Sequence, residues 1–382
     1  MALALRRRGR SVRYLLARGY ASASTNPVVY ISRTRNPYFN LAWEDFLFRT
    51  LPENEPACFL YVNDPCVVVG RNQNLWSEVD PQAMREENVS VIRRQSGGGT
   101  VYHDPGNLNF SFHTSKASFA RRIHTELIAE AFKSKPVSLP SKHGIDPVFL
   151  TDRNDLAVLD VQATEAEEKW FRKVSGSAYK LANHRAYHHG TLLLDANLRR
   201  MSMLKQRRSH MTTNAVSSVP SPVTNLTMAF PDQAARLACE CVMEAIYAAF
   251  CRKYGPSNKV WVDERMLDHT AQIKSRTYHV RENYESLQSW DWLYGSNPAF
   301  SVTASTEHVP FDQASLTVTL HCTHGRVDRV DVETPSPTLA QAVQQLKGAP
   351  YDALAWAPPS SVPPSTAPAV EARLAAWLKK AL

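Results

Sequence analysis

A chain of 382 residues with a hydrophobic fraction of 43% exceeds what one core usually serves, and it has no uninterrupted apolar stretch of the roughly 18 residues that a membrane span needs. Its formal charge of +8 suggests nucleic acid until the distribution is read: residues 1–25 hold Arg6, Arg7, Arg8, Arg10, Arg13 and Arg18 with no acid, so the leader carries six of the eight positive charges. Two folded units are expected, with neither nucleic acid nor membrane as a partner.

The leader is Arg-rich, contains Ser and Ala, and can place Leu3, Leu15 and Leu16 on one face of a helix. It reads as a mitochondrial transit peptide, with the matrix as the destination. Six cysteines (Cys58, Cys66, Cys239, Cys241, Cys251 and Cys322) lack a CxxC pair and read as reduced core residues. A strand is expected over 28–31. Trp43, Phe46, Leu47 and Leu51 recur at helical spacing and predict a helix over 38–50. The apolar runs 58–62 and 66–69 flank Asn63-Asp64-Pro65 and predict a hairpin. Asp80-Pro81 opens a helix to about residue 88, after which Val89 to Ile92 delivers Arg93 and Arg94. Leu108, Phe110 and Phe112 alternate with Asn109, Ser111 and His113, the pattern of a half-buried strand.

A helix over 117–133, strands over 156–161, 170–174 and 189–194, and a helix over 232–254 complete the first unit, expected to span 26–255. The second, 256–382, starts after Gly255-Pro256-Ser257 and has strands over 316–322 and 327–332. A Pro-rich linker follows over 357–368, and a last helix puts Val370, Leu374, Trp377, Leu378 and Leu382 on one face. This order fits an α+β sheet with packed helices better than regular βα alternation.

The chemistry concentrates in two places. Gly97, Gly98 and Gly99 follow Arg93-Arg94-Gln95-Ser96 and precede Thr100, Val101, Tyr102, His103 and Asp104, so bare amides and cations converge as a phosphate would require. Neither a Walker loop nor a dinucleotide fingerprint fits, and a tight structural turn is the plain alternative. Lys173 stands before Ser175-Gly176-Ser177, where a partly enclosed ammonium would neutralise a carboxylate and a phosphate brought together; a solvated lysine is the plain alternative. Asn154 and Asp155 are open to an Asx turn, a Mg²⁺ site beside a triphosphate, or the orienting of an incoming amine. His184, His188 and His189 lack the helix and the further ligands that zinc would need, so no structural metal is expected. No cysteine accompanies either motif to support a Cys-His acyltransferase.

Together these segments resemble the lipoate-protein ligase and lipoyltransferase family. The resemblance runs from Gly70-Arg71-Asn72-Gln73-Asn74 through the 93–104 signature, Gly106-Asn107-Leu108-Asn109-Phe110, Arg153-Asn154-Asp155-Leu156, Lys173 to Ala178 and His188 to Leu193. It reaches Trp290 to Phe300 and covers about residues 27–340. It implies a mixed-sheet catalytic domain of the biotin/lipoate protein ligase, class II synthetase-like type, with a smaller α+β accessory domain.

It also implies that Lys173 is catalytic and touches both acyl carbonyl and phosphate. Arg93, Gly97, Gly98, Gly99, Thr100 and Val101 would hold lipoyl-AMP or ATP, and Arg71, Ser96, His103, Asn107 and His189 would border the lipoyl chain. Implied substrates are lipoate or octanoate with ATP and Mg²⁺, or lipoyl-AMP. Implied partners are the lipoyl domains of 2-oxoacid dehydrogenase E2 subunits and glycine-cleavage H protein. The 213–226 segment departs from bacterial ligases: Pro220 and Pro222 replace arginines and resemble the mitochondrial lipoyltransferase branch, whose members transfer lipoyl from the adenylate or from H protein without activating free lipoate. A biotin-protein ligase and a non-catalytic lipoyl-domain-binding protein are the remoter readings.

Overall fold

The computed structural model describes residues 27–142, 144–160, 171–204, 211–307 and 315–352, together with 374, 377 and 378. The expected leader, the Pro-rich linker, and Trp170, Val370 and Leu382 lie outside the described residues. The strands are β1 (Val28–Ser32), β2 (Ala57–Val62), β3 (Cys66–Val69), β4 (Ser90–Arg93), β5 (Val101–His103), β6 (Asn107–Ser115), β7 (Phe149–Leu150), β8 (Leu156–Leu159) and β9 (Phe171–Lys173). They continue with β10 (Ser175–Ala182), β11 (Arg185–Leu193), β12 (Met211–Thr213), β13 (Asn258–Val262), β14 (Thr270–Ile273), β15 (Arg276–His279), β16 (Phe300–Ser305), β17 (Thr317–Thr323) and β18 (Arg326–Glu333). Helices are α1 (Pro37–Thr50), α2 (Leu75–Glu78), α3 (Pro81–Glu86), α4 (Arg121–Lys133), α5 (Leu226–Ala229), α6 (Cys239–Tyr254), α7 (Val280–Gln288) and α8 (Pro337–Gln344).

A six-stranded mixed sheet in the order β10-β11-β6-β2-β1-β13 organises the molecule, with β3, β4 and β5 forming a separate small sheet and β7, β8 and β9 another. A four-stranded sheet, β12-β16-β17-β18, forms the accessory part with α8. The architecture is α+β, as expected. One face of the main sheet packs on α4 and α6 through Leu108, Phe110, Phe112, Ile128, Phe132, Ile246 and Phe250. The other carries Phe59 and Tyr61 against α1, with Phe39, Trp43 and Phe46.

Because both faces are covered, β6 is buried from Asn107 to Thr114, not half-buried. The alternation survives in chemistry instead: Leu108, Phe110 and Phe112 enter the core while Asn109 and His113 face the polar side. The expected 58–69 hairpin does not form. β2 pairs with β1 and β6, whereas β3 pairs with β4 and β5, so Asn63-Asp64-Pro65 turns the chain from one sheet into another.

Helix α1 starts where Asn36 accepts hydrogen bonds from the Tyr38 and Phe39 amides at 3.0 and 3.3 Å, with Pro37 in the first turn. Every residue from Phe39 to Phe48 is buried, including Asn40, Glu44 and Asp45. Each of these polar groups has a partner: Asn40 donates to Asn63 Oδ1 at 2.8 Å, and Lys180 Nζ lies 2.8 Å from Asp45. Asp80 caps α3 through the Ala83 amide. The helix expected over 232–254 is interrupted: a 3₁₀ turn over Pro231–Leu237 precedes α6, and Gly255 at φ 100° ends it.

Hydrogen bonding crosses the boundary expected after residue 255. β13 pairs in parallel with β1 along its whole length, and α7 packs on α1, while β12 from the earlier segment joins β16. Leu374, Trp377 and Leu378 are buried in the accessory core, on the side of the last helix that their spacing predicted. Among the described residues no helix is long and apolar enough to cross a membrane.

Candidate active site

The glycine turn is wrapped around one buried guanidinium. Arg94 donates to the carbonyls of Val68 (3.0 Å), Gly97 (2.6 Å) and Gly99 (2.7 Å) and to Ser96 Oγ (2.9 Å), which curls residues 95–99 into a compact loop. Gly98 has φ +86°, and a Cβ on Gly70 would stand 2.1 Å from the Gly98 carbonyl, so both positions require glycine. The N–H groups of Gly97, Gly98 and Gly99 donate to no acceptor among the described residues. The loop therefore offers free amides, while its carbonyls are held by the arginine.

Arg93, expected beside the nucleotide, is fully buried and fully employed elsewhere. It donates to the Gly70, Arg71, Gln73 and Leu293 carbonyls (2.8–3.2 Å) and to Asn297 Oδ1 (3.0 Å). It bolts the 289–298 segment, through Trp292 and Asn297, onto the turn beneath the glycine loop. Burial pushes both guanidiniums down to about 10, which leaves them charged at neutral pH. The sequence showed two cations; it could not show that carbonyl oxygens had already claimed them.

Lys173 closes β9 opposite Ala157, and its backbone is gripped from the other side by the 213–226 segment: its N–H donates to Pro222 O, and Thr224 N–H to its carbonyl, each at 3.0 Å. Its Nζ lies 2.6 Å from Asp155 Oδ2, and neither side chain is more than one-sixth exposed. The pair forms part of the wall of a cavity of about 410 Å³. Gly98, Gly99, Thr100, Val101, His103 and His189 line the same space, so the core of the expected site is brought together.

Other expected members stand outside that wall. Arg71 is exposed and lies over the Trp292 ring at 4.7 Å. Asn107 is buried behind Asn109, which it meets at 2.9 Å and which lines the cavity in its place. Asn154, at φ 61°, forms the turn before β8 and leaves the cavity to Asp155. Gly97 gives its carbonyl to Arg94, and Ser96 acts one step back, on His189.

That histidine completes a chain that the sequence did not reveal. Ser96 Oγ lies 2.7 Å from His189 Nε2, and His189 Nδ1 lies 2.9 Å from the carboxylate of Glu44 on α1. Both ring nitrogens of His189 are thus partnered, Nε2 by the hydroxyl to which Arg94 also donates and Nδ1 by the Glu44 carboxylate. An acid amid Trp43, Phe46 and Leu47 was the available signal for Glu44. His103 accepts from Asn63 Nδ2 through Nδ1 at 2.9 Å; burial, then the charges of Arg94 and His189, push it down to about 3. Its ring is neutral and gives the cavity an uncharged stretch of wall.

The segment carrying Pro220 and Pro222 is latched over the glycine loop. Ser218 Oγ accepts from the Thr100 amide (2.8 Å) and Gln73 Nε2 (3.0 Å) and donates to Glu78, while Val216 N–H reaches Asn72 O. Among the described residues no group of three His, Cys, Asp or Glu side chains could hold a metal ion. Asp155, a carboxylate lining the cavity, is paired with Lys173. Cys58 and Cys66 are buried away from the cavity, and burial pushes both thiols up.

Residues 36–251 match the family model for the lipoyl protein ligase A/B catalytic domain. The mitochondrial lipoyl amidotransferase LIPT1 of Mus musculus is 35% identical over 327 residues, 84% of this chain and 79% of that protein. LipL1 of P. falciparum, solved in complex with lipoate, superposes with a TM-score of 0.54 at 22% identity over 85% of this chain and 90% of its own. Lipoate-protein ligase A bound with ATP gives 0.51 at 20% identity over 70% and 98%. These two structures share the fold.

Proposed function

Since the chain belongs to the lipoate-protein ligase and lipoyltransferase family and is an enzyme of lipoylation, we propose that it transfers a lipoyl or octanoyl group to the acceptor lysine of lipoyl domains. The acceptors would be 2-oxoacid dehydrogenase E2 subunits and glycine-cleavage H protein, in the mitochondrial matrix. The observation that carries this reading is the Lys173–Asp155 pair in one cavity with the free amides of the glycine loop.

In an acyl-adenylate the carbonyl carbon is linked through oxygen to phosphorus. The neutral acceptor Nζ attacks that carbon, a C–N bond forms, the C–O bond breaks, and AMP leaves with the bonding electrons. One proton departs from the nitrogen, and Asp155 is placed to orient the amine as it does so. Lys173 stabilises the charge that develops on the carbonyl and phosphate oxygens, and the glycine amides add donors on the nucleotide side. Holding both reactants at this junction supplies the rest of the acceleration. The Ser96–His189–Glu44 chain and neutral His103 fix the wall along the acyl chain.

Two donors are compatible with this chemistry, and one observation favours transfer over ATP-dependent activation. The segment latched over the glycine loop contains no cation between Thr213 and Leu226, and Arg93 is committed to carbonyls, which leaves Lys173 and the exposed Arg153 as the cavity's cations besides the carbonyl-bound Arg94. The mouse relative is a lipoyl amidotransferase, which supports the same reading, in which lipoyl-AMP or lipoylated H protein is the donor. With H protein, one lysine amide is exchanged for another and no ATP is used. The full chain is incubated with an apo lipoyl domain and each donor in turn: lipoate with ATP and Mg²⁺, lipoyl-AMP, or lipoylated H protein. Mass increase only with the latter two is expected; pyrophosphate release from lipoate and ATP would make it a ligase.

A further inference from the structure

A second cavity, of about 320 Å³, abuts the same lysine. Phe149 and Leu150 of β7, Phe171 of β9 and Pro222 give it apolar walls, and exposed Asp152 adds a carboxylate. It shares only Lys173 and Arg153 with the larger cavity. Transfer requires two reactants to meet at Lys173, and the larger cavity, walled on one side by residues 216–219, would hold the donor. The amine needs another approach.

A lysine side chain is an apolar stem with a cationic head. The second cavity offers the stem aromatic and aliphatic walls, and the head one carboxylate at Asp152 and another, Asp155, paired with Lys173 where the two spaces meet. Resting on the transfer reading above, we propose that this second cavity is the channel by which the acceptor protein's lysine reaches the acyl carbon.

The test uses the full chain, preformed lipoyl-AMP and two nucleophiles: an apo lipoyl domain, which must thread its lysine, and hydroxylamine, which is small enough to need no channel. Ser221→Trp narrows the second cavity, and Asp152→Lys reverses the charge at an exposed position. Both should lower domain modification by about tenfold or more while hydroxamate formation stays within about twofold of the parent. Hydroxamate formation is counted as the rate above the protein-free reaction of lipoyl-AMP with hydroxylamine, so its retention also reports an intact fold and donor site. Normal domain modification in both variants overturns the channel, and so does an equal fall in both reactions. If the parent protein passes lipoyl to neither nucleophile, the transfer reading itself fails and takes the channel with it.

Discussion

At the end of β4 two guanidiniums are sunk among carbonyl oxygens, whereas at the end of β9 one ammonium faces a single carboxylate at a cavity wall. Both sets of cations lie next to glycine-containing turns. They differ in what surrounds them: Arg93 and Arg94 have spent their donors on the backbone, while Lys173 retains capacity for a ligand because Asp155 occupies only part of it. The difference teaches that charge in a motif is divided between building the loop and serving the reaction.

The sharpest way to break this division is Arg93→Ala. It would remove a donor from four carbonyls and from Asn297, and the expected loss is about 5 kcal/mol or more, enough to unfold many domains. Urea denaturation with a change of less than about 1 kcal/mol would show Arg93 to be free for a ligand after all. Lys173→Ala should do the reverse: an unchanged fold by circular dichroism, with transfer from lipoyl-AMP reduced by about 10²–10³-fold or more. Near-normal turnover in that variant removes the ammonium from the reaction.

Smaller changes sharpen the comparison. Ser218→Ala cuts the latch to Thr100, Gln73 and Glu78 and should cost about 1–3 kcal/mol, with KM for lipoyl-AMP raised more than kcat is lowered. His103 gives the gentlest effect. It is held near 3 in the folded protein against about 6.5 in the unfolded chain, so the unfolded chain takes up its proton first as pH falls. Unfolding free energy should decline below about pH 6.5 and not above it on this account, and His103→Asn should flatten the slope by at most about 1.4 kcal/mol per pH unit. An unaltered slope would mean that the ring titrates normally.

Local patterns were legible wherever one element decides its own shape. The helix over 38–50, the alternation along β6 and the glycine turn at 97–99 were all visible in short windows of sequence. What escaped was the choice of distant partner. The 58–69 runs look like a hairpin because a turn joins them, yet burial against β6 on one side and against β4 and β5 on the other offers each strand a better neighbour than its sequential one. Glu44 escaped for the same reason, since its meaning comes from His189, 145 residues away. Asn107 and Arg93 carry the expected chemistry but stand one layer behind the cavity wall.

The pairing of β13 with β1 bears on how the protein can be dissected. Cutting after Gly255, at the point where composition suggests a joint, would strip the main sheet of its outermost strand and uncover the β1 backbone from Val28 to Ser32. A bare row of strand amides and carbonyls recruits other chains, so such a fragment should be prone to aggregate. The smallest unit that keeps this sheet whole extends through Val262, and keeping the packing on α1 as well carries it through α7.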